Sequence, residues 1–359
     1  MPEIKTQVFK LDPYEPQLNK IKIAAKILRD GGLVAFPTET VYGLGANLND
    51  EAAIARLYEV KKRPKEKKLS IHIVDARVVK EYASEIPQAA YKLMHRFWPG
   101  PVTIVLKAKN TDTVGFRFPR NQIAYGLIKE ANVPVVAPSA NISDAAPPKS
   151  ASEVLMQLNG QIDVVLDGGN TALGVESTVV DLSGPGYKIL RQGSVSEGAV
   201  KKAIDTKFIL VVCTGNTCRS VMASDMLQKE LASRKDIEIL SAGVSAIPGA
   251  GASFTVAEVM KEQGYDVSDH VSRSVTDELI NMSDIILVME KAHRDRILEK
   301  APQVKNKVHL LREYLRDAPI PENDPESGEV PDPVGRDKAF NRYVYGIIKE
   351  NIDRIAGKL

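Results

Sequence analysis

Cys213-Thr-Gly-Asn-Thr-Cys-Arg219-Ser220 holds the only two cysteines of the chain and follows directly on the apolar run Phe208–Val212. Those residue types, in that order, can build an oxyanion cradle. A strand ends in a nucleophile, small residues turn the backbone so that its N–H groups converge, and a helix starts at the arginine. The helix N-terminus and the guanidinium both stabilise a thiolate and attract phosphate. Phosphoryl transfer without a metal needs an ionised nucleophile, cationic donors around the equatorial oxygens, and an acid for the leaving group. Cys213 supplies the first, and Arg219 can grip two phosphoryl oxygens with its planar fork. Gly215 permits an otherwise costly backbone angle, Asn216 can pin the loop through its side chain, and Ser220 can donate to the cysteine sulfur. Thr214, Thr217 and Cys218 complete the loop. Cys218 lies close enough to Cys213 to form a reversible disulfide, and reads equally well as a small loop-filling residue.

A second and unrelated set of residues occupies the first half. Pro37-Thr-Glu-Thr-Val-Tyr-Gly-Leu-Gly45 follows a strand and offers two threonine hydroxyls and two turn glycines. Lys61–Lys68 has six basic residues of eight, Pro138-Ser-Ala-Asn141 follows another strand, and Glu176–Asp181 is trailed by Arg191-Gln-Gly193. Lys61, Arg63 and Lys67 straddle Pro64 with a spacing that breaks any regular helix, so a loop folds these cations toward one ligand. Lys62, Lys65 and Lys68 read as a solvated face. Hydroxyls after strand ends suit phosphate or a carboxylate in an α/β crevice. The residues themselves therefore describe an anion pocket of nucleotide type.

The elements that must position these groups alternate along the chain. Leu33–Phe36, Ser70–Val74, Val102–Leu106, Val133–Ala137, Asp163–Leu166 and Ser177–Leu182 read as strands. Pro134 makes the fourth an edge strand or shortens it to Val135–Ala137. Gln17–Arg29, stopped by Gly31-Gly32, and Glu51–Lys62 read as helices. After Ile204 the strands Phe208–Val212, Ile237–Ser241, Asp284–Met289 and Lys307–Leu311 are each separated by helix-length segments, the pattern of an open parallel sheet. Gly249–Ser253 and Pro319–Pro333 are loop-rich. The length of 359 residues suits two domains, with a seam near Asp205–Lys207. Lys+Arg 48 against Asp+Glu 46 leaves a formal charge of +2, so any basic site must be local. No stretch approaches the roughly 18 continuous apolar residues of a membrane helix, and two cysteines in one loop make no secreted disulfide framework. The expectation is a cytoplasmic protein without a membrane partner. No HExxH, clustered His or carboxylate cage points to a resident metal.

VCTGNTCRS resembles the signature of the low-molecular-weight protein tyrosine phosphatase family. The likeness extends over residues 207–359, through Ser241-Ala-Gly243, Gly264–Arg273 and Asp284–Glu290. It implies a flavodoxin-like fold with a parallel sheet, a phosphoprotein substrate and no cofactor, and it assigns Asp332 in Pro331-Asp-Pro333 as proton donor to the leaving group. Members acting on phosphotyrosine tend to have an aliphatic residue at Thr217 and an aromatic at Val334. Thr217 also matches the protein-arginine phosphatase subgroup, which favours phosphoarginine. Arsenate reductases of similar fold relay a disulfide through further downstream cysteines, which are lacking here.

PTETVYGLG, Lys-x-Arg-x-x-x-Lys, Ser-x-Asn and ESTVVD…LRQG together are similar to the YrdC family of threonylcarbamoyl-AMP synthases over about residues 10–204. That resemblance implies a twisted mixed α/β domain with a central anion-binding cavity. It also implies conversion of L-threonine, bicarbonate and ATP to threonylcarbamoyl-adenylate and pyrophosphate, toward threonylcarbamoyladenosine in tRNA. Lys61, Arg63, Lys67, Ser139, Asn141 and Arg191 would hold ATP, with Mg2+ sharing the phosphate charge. Thr38, His72, Arg117 and Ser177 would line the threonine end. tRNA or tRNA-modification proteins are the implied partners. Ser70, at a usually apolar position, and Asp144, where relatives often have Gly, depart from the pattern. The expected whole is a bifunctional enzyme, synthase in 1–204 and phosphatase in 205–359. Its rival is a phosphotyrosine phosphatase fused to an RNA-binding YrdC-like module that uses Lys61–Lys68.

Overall fold

Two apolar periodicities organise the molecule, which a computed structural model describes over residues 4–317, 320 and 328–359. The expected loop-rich stretch Pro319–Pro333 lies largely outside these residues. The chain divides into two compact units, Met1–Ile204 and Asp205–Leu359.

The first unit runs β1 (Gln7–Lys10), α1 (Leu18–Arg29), β2 (Val34–Phe36), β3 (Gly43–Asn47), α2 (Glu51–Val60), β4 (Ser70–His72), α3 (Val79–Tyr82), α4 (Gln88–Phe97), β5 (Val102–Lys107) and β6 (Thr113–Arg117). It continues with α5 (Gln122–Ala131), β7 (Val135–Val136), α6 (Ala151–Leu158), β8 (Val164–Asp167), β9 (Thr178–Asp181), β10 (Lys188–Arg191) and α7 (Glu197–Asp205). The strands form one mixed sheet in the order β1-β8-β2-β3-β7-β4-β6-β5-β9-β10. On α1, Ile21, Ala24, Ala25 and Leu28 fall on one helical stripe and pack with Ile123, Leu127 and Ile128 of α5. Asp163 ties the sheet to α2 through Arg56 at 2.8 Å and caps the Leu33 N–H at 2.7 Å.

Cross-strand register decides which side chains face the site. Ile71, Phe116, Ile104 and Val180 are aligned on β4, β6, β5 and β9, and all belong to the buried core. Their neighbours one residue along must face the opposite side, because strand side chains alternate. The register there aligns His72, Arg117, Thr103, Val179 and Arg191 across β4, β6, β5, β9 and β10. One face is therefore core, and the other carries a row of polar side chains interrupted by Val179.

Several expectations need correction. Val135–Val136 does not lie at an edge, since β7 pairs with both β3 and β4. The strand starts after Pro134, which has no N–H to give the ladder although its carbonyl still accepts from Leu48 N at 2.8 Å, and it ends at Val136, one residue short of the expected Ala137. Gly43 and Gly45 are not turn residues but lie within β3. A Cβ on Gly45 would come within 3.0 Å of Phe36 and 3.1 Å of Leu28, so close packing is what requires the glycine. α2 ends at Val60 because Lys62 turns left-handed, φ +48.

The second unit contains β11 (Lys207–Cys213), α8 (Arg219–Glu230), β12 (Ile237–Gly243), α9 (Phe254–Glu262), α10 (Asp277–Met282), β13 (Ile285–Val288), α11 (Lys291–Lys300), β14 (Val308–Leu310) and α12 (Lys338–Lys358). Its sheet is all parallel, in the order β12-β11-β13-β14. β11 and β13 are near-continuous apolar runs because helices cover both faces. The chain leaves β11 for β12 on one side and returns to β13 on the other. A crevice opens where the strand order reverses, outside the strand C-termini, and Cys213 stands there.

Candidate active sites

The polar row in the first unit forms the floor of a cavity of ≈ 720 Å³. All ten residues assigned from sequence to ATP and threonine line it: Lys61, Arg63, Lys67, Ser139, Asn141, Arg191, Thr38, His72, Arg117 and Ser177. Lys61 is 1% exposed, and its ammonium donates to the Ser139 and Asn141 carbonyls. Burial, reinforced by the Arg63 charge, brings its pKa down to about 8. Arg63 donates through Nε to Lys67 O at 2.9 Å, which curls the basic loop toward the cavity. Lys68, read as solvated, also lines the wall, with its ammonium 3.0 Å from Thr113 Oγ1. Asp144 adopts φ +69, a conformation that glycine occupies at no steric cost, and its carboxylate meets Lys67 at 3.5 Å.

The remaining groups interlock. Arg117 Nη2 donates to Thr40 Oγ1 at 2.6 Å and to Thr38 Oγ1 at 3.3 Å. The same nitrogen lies 3.1 Å from Glu39 Oε1, and this pair is buried. Arg191 Nη2 donates to Ser177 Oγ at 3.0 Å, and Ser177 shares a hydrogen bond with Thr103 at 2.9 Å. Residues assigned to opposite ends of the ligand thus sit against one another. Burial and the nearby Arg117 charge drive the His72 pKa down to about 3, so its ring is neutral. Arg117 Nε, Asn141 Oδ1 and Ser143 Oγ are buried without a hydrogen-bond partner. Such orphaned atoms mark places where a ligand can complete the bonding. Glu39, Thr40, Thr103 and Glu176 were not assigned from sequence. Glu39, Thr40 and Glu176 lie inside the motifs but face the site only through register and loop folding.

In the second unit the main chain folds back after β11. Asn216 N donates to Cys213 Sγ at 3.3 Å, and Ser220 Oγ lies 3.0 Å from the sulfur. The left-handed residue is Asn216, φ +54, and not Gly215. Its amide donates to Ser220 and Ser241 at 3.0 Å each and accepts from Arg273 N at 2.9 Å, which offsets the backbone cost. His270 Nε2 is 2.6 Å from Asn216 O. A Cβ on Gly243 would meet Thr214 O at 2.5 Å, so only glycine lets β12 pass beneath the loop. Ser253 N donates to Thr217 O at 2.9 Å on the far side. Cys218 and Cys213 are both free thiols, and burial pushes the Cys218 pKa up.

Arg219 opens α8 at 1% exposure. Its guanidinium pairs with Glu290, and its Nη2 lies 2.9 Å from Asp332 Oδ2. The acid expected from sequence is therefore at the cradle. Glu290 and His293 were missed: His293 is 3% exposed and lies 2.9 Å from Thr214 Oγ1.

A threonylcarbamoyl-AMP synthase of Pyrococcus abyssi is 41% identical over 230 residues, covering 62% of this chain and 68% of that protein. The chain belongs to the Sua5–YciO–YrdC family. Residues 26–193 match that family's model, described as "Telomere recombination". Residues 208–359 match the model of the low molecular weight phosphotyrosine protein phosphatases, so the second unit is a domain of that family. The synthase of Bacillus subtilis is 38% identical over 204 residues, and the chain spans only 58% of its length. P. abyssi Sua5 complexed with L-threonine superposes with a TM-score of 0.54 at 29% identity, over 84% of this chain and 99% of that one. Among the described residues no helix is long and apolar enough to cross a membrane.

Proposed function

We propose that the first unit forms threonylcarbamoyl-AMP and pyrophosphate from L-threonine, bicarbonate and ATP, for the threonylcarbamoyladenosine modification of tRNA. The observation that supports this most is the meeting of all ten assigned side chains around one cavity. Arg117, beside the Thr38 hydroxyl, would take the threonine carboxylate, and Lys61, Arg63, Lys67 and Arg191 would face the triphosphate. The threonine amine and bicarbonate give a carbamate and water. One carbamate oxygen attacks the α-phosphorus, and the bond to pyrophosphate breaks. Mg2+ entering on ATP would neutralise charge on the departing pyrophosphate, and Glu66, Asp144 and Glu176 are the wall carboxylates able to receive it. That fits the donor set, since Mg2+ is held by few protein carboxylates when substrate phosphates supply the rest. Burial does not separate this reading from the RNA-module alternative, because Lys62, Lys65, Lys67 and Lys68 are exposed while Lys61 is buried. Pyrophosphate release that requires both threonine and bicarbonate tests the reading; salt-sensitive RNA affinity without that turnover would replace it.

For the second unit the proposed reaction is hydrolysis of phosphoproteins through a cysteinyl phosphate, with phosphoarginine the favoured substrate. The Cys213 thiolate attacks phosphorus, the bond to the leaving nitrogen or oxygen breaks, and Asp332 gives that atom its proton. Water then attacks the phosphorus of the phosphocysteine while Asp332 accepts its proton, and the P–S bond breaks to release phosphate and return the Cys213 thiolate. Thr217 carries the substrate preference, since its hydroxyl can accept from a guanidinium N–H where an aliphatic side chain would pack on a phenyl ring. The likeness of Thr217 to the arginine-phosphatase subgroup supports the same choice. Parallel turnover measurements on phosphoarginine, phosphotyrosine and phosphoserine peptides test it.

A further inference from the structure

We propose that His293 is a positioning residue of the second site, which fixes the Thr214 hydroxyl so that its proton points at the leaving-group atom of the substrate. This rests on the phosphatase reading and deepens it. Thr214 is the first residue after the nucleophile and is itself exposed at the mouth of the cradle. Its Oγ1 nevertheless bonds to two buried groups, His293 Nε2 at 2.9 Å and Arg219 Nη2 at 3.4 Å.

The proton inventory gives these contacts a direction. Arginine can only donate. On His293, Nδ1 is buried without a hydrogen-bond partner. A proton on Nδ1 would leave an orphaned buried donor, whereas a proton on Nε2 leaves only an unmatched lone pair, the more tolerable of the two. Burial lowers the His293 pKa against the opposing pull of Glu290 and Asp332. Nε2–H therefore donates to Thr214, as Arg219 does. With both lone pairs of Oγ1 engaged, the threonine proton has to find a third partner on the open side. Asp332 approaches the same Arg219 Nη2, at 2.9 Å, so one guanidinium nitrogen anchors both the acid and the threonine hydroxyl. With the acid and the hydroxyl held on one anchor, the leaving atom that the acid protonates is the partner assigned to the threonine proton, where charge grows as the bond breaks.

The test uses the full chain and two probes, phenyl phosphate with a poor leaving group and p-nitrophenyl phosphate with a good one. Thr214→Val and His293→Phe should each lower kcat/KM for phenyl phosphate about tenfold, the kinetic worth of one hydrogen bond. The loss on p-nitrophenyl phosphate should be several times smaller, because its leaving group needs little help. The double variant should fall no further than either single one. His293→Gln, which keeps a donor of similar reach, should recover most of the loss. Turnover of p-nitrophenyl phosphate retained in the same samples reports that the second unit has folded. Equal losses on both probes, or losses that multiply to about a hundredfold in the double variant, would overturn the proposal. Absence of any Cys213-dependent turnover in the wild type would instead remove the phosphatase reading itself, and this one with it.

Discussion

Lys61 offers the sharpest prediction because its ammonium is both buried and adjustable by pH. Its pKa is brought to about 8 from an ordinary 10.5, chiefly by burial. That difference corresponds to a cost of about 3 kcal/mol for keeping the charge in the fold. The folded pKa lies below the unfolded one, so the cost is fully present below pH 8 and is relieved as pH rises toward 10.5. Stability should therefore rise over that window, while affinity for the triphosphate should fall. From pH 7 to pH 9 the charged fraction of the free enzyme drops about tenfold. The value of kcat/KM for ATP reports groups of the free enzyme. Pyrophosphate release should be followed from pH 7 to 9.5 in the wild type and in Lys61→Met, which has no charge to lose. The ratio of the two cancels titration of threonine and bicarbonate, and it should fall about tenfold between pH 7 and 9. A ratio that stays flat would show that Lys61 is either uncharged or remote from the phosphates, and the reasoning would fail.

Three further outcomes are expected. Cys213→Ser should abolish phosphatase turnover and leave pyrophosphate release intact; loss of both would reveal coupling between the units. Arg117→Met should raise KM for threonine by about 10–100-fold, the worth of a charge-assisted hydrogen bond, with a smaller effect on KM for ATP. An equal rise for both substrates would place Arg117 elsewhere on the ligand. Thr217→Ile should move preference from phosphoarginine toward phosphotyrosine, measured as the ratio of kcat/KM, and an unchanged ratio would discard the role given to its hydroxyl.

Local chemistry was legible in the sequence wherever a segment carried its own geometry. The strand, loop and helix around Cys213 form one contiguous piece, and β11 and α8 appear where the apolar run and the arginine predict them. The short strands β3, β6 and β10 were not legible. β3 contains two glycines and β10 is mostly exposed, so neither shows the apolar alternation that marks a strand. Asn216 rather than Gly215 takes the left-handed turn because Ser220 nearby and Ser241 and Arg273 from distant segments hold its side chain.

By itself the sequence determined two α/β domains, a cysteine-centred cradle at the end of one strand and a set of basic and hydroxylic motifs meant for one anion. Tertiary structure alone decided which of those groups meet. Register across β4, β6, β5, β9 and β10 turns His72, Arg117, Thr103 and Arg191 to one side, and that alignment joins residues more than a hundred positions apart. It also chose their partners, Glu39 for Arg117 and Glu290 with Asp332 for Arg219. Motifs record residue types at fixed separations along a chain. Charge pairing depends on distance in space, which only the packed sheet supplies.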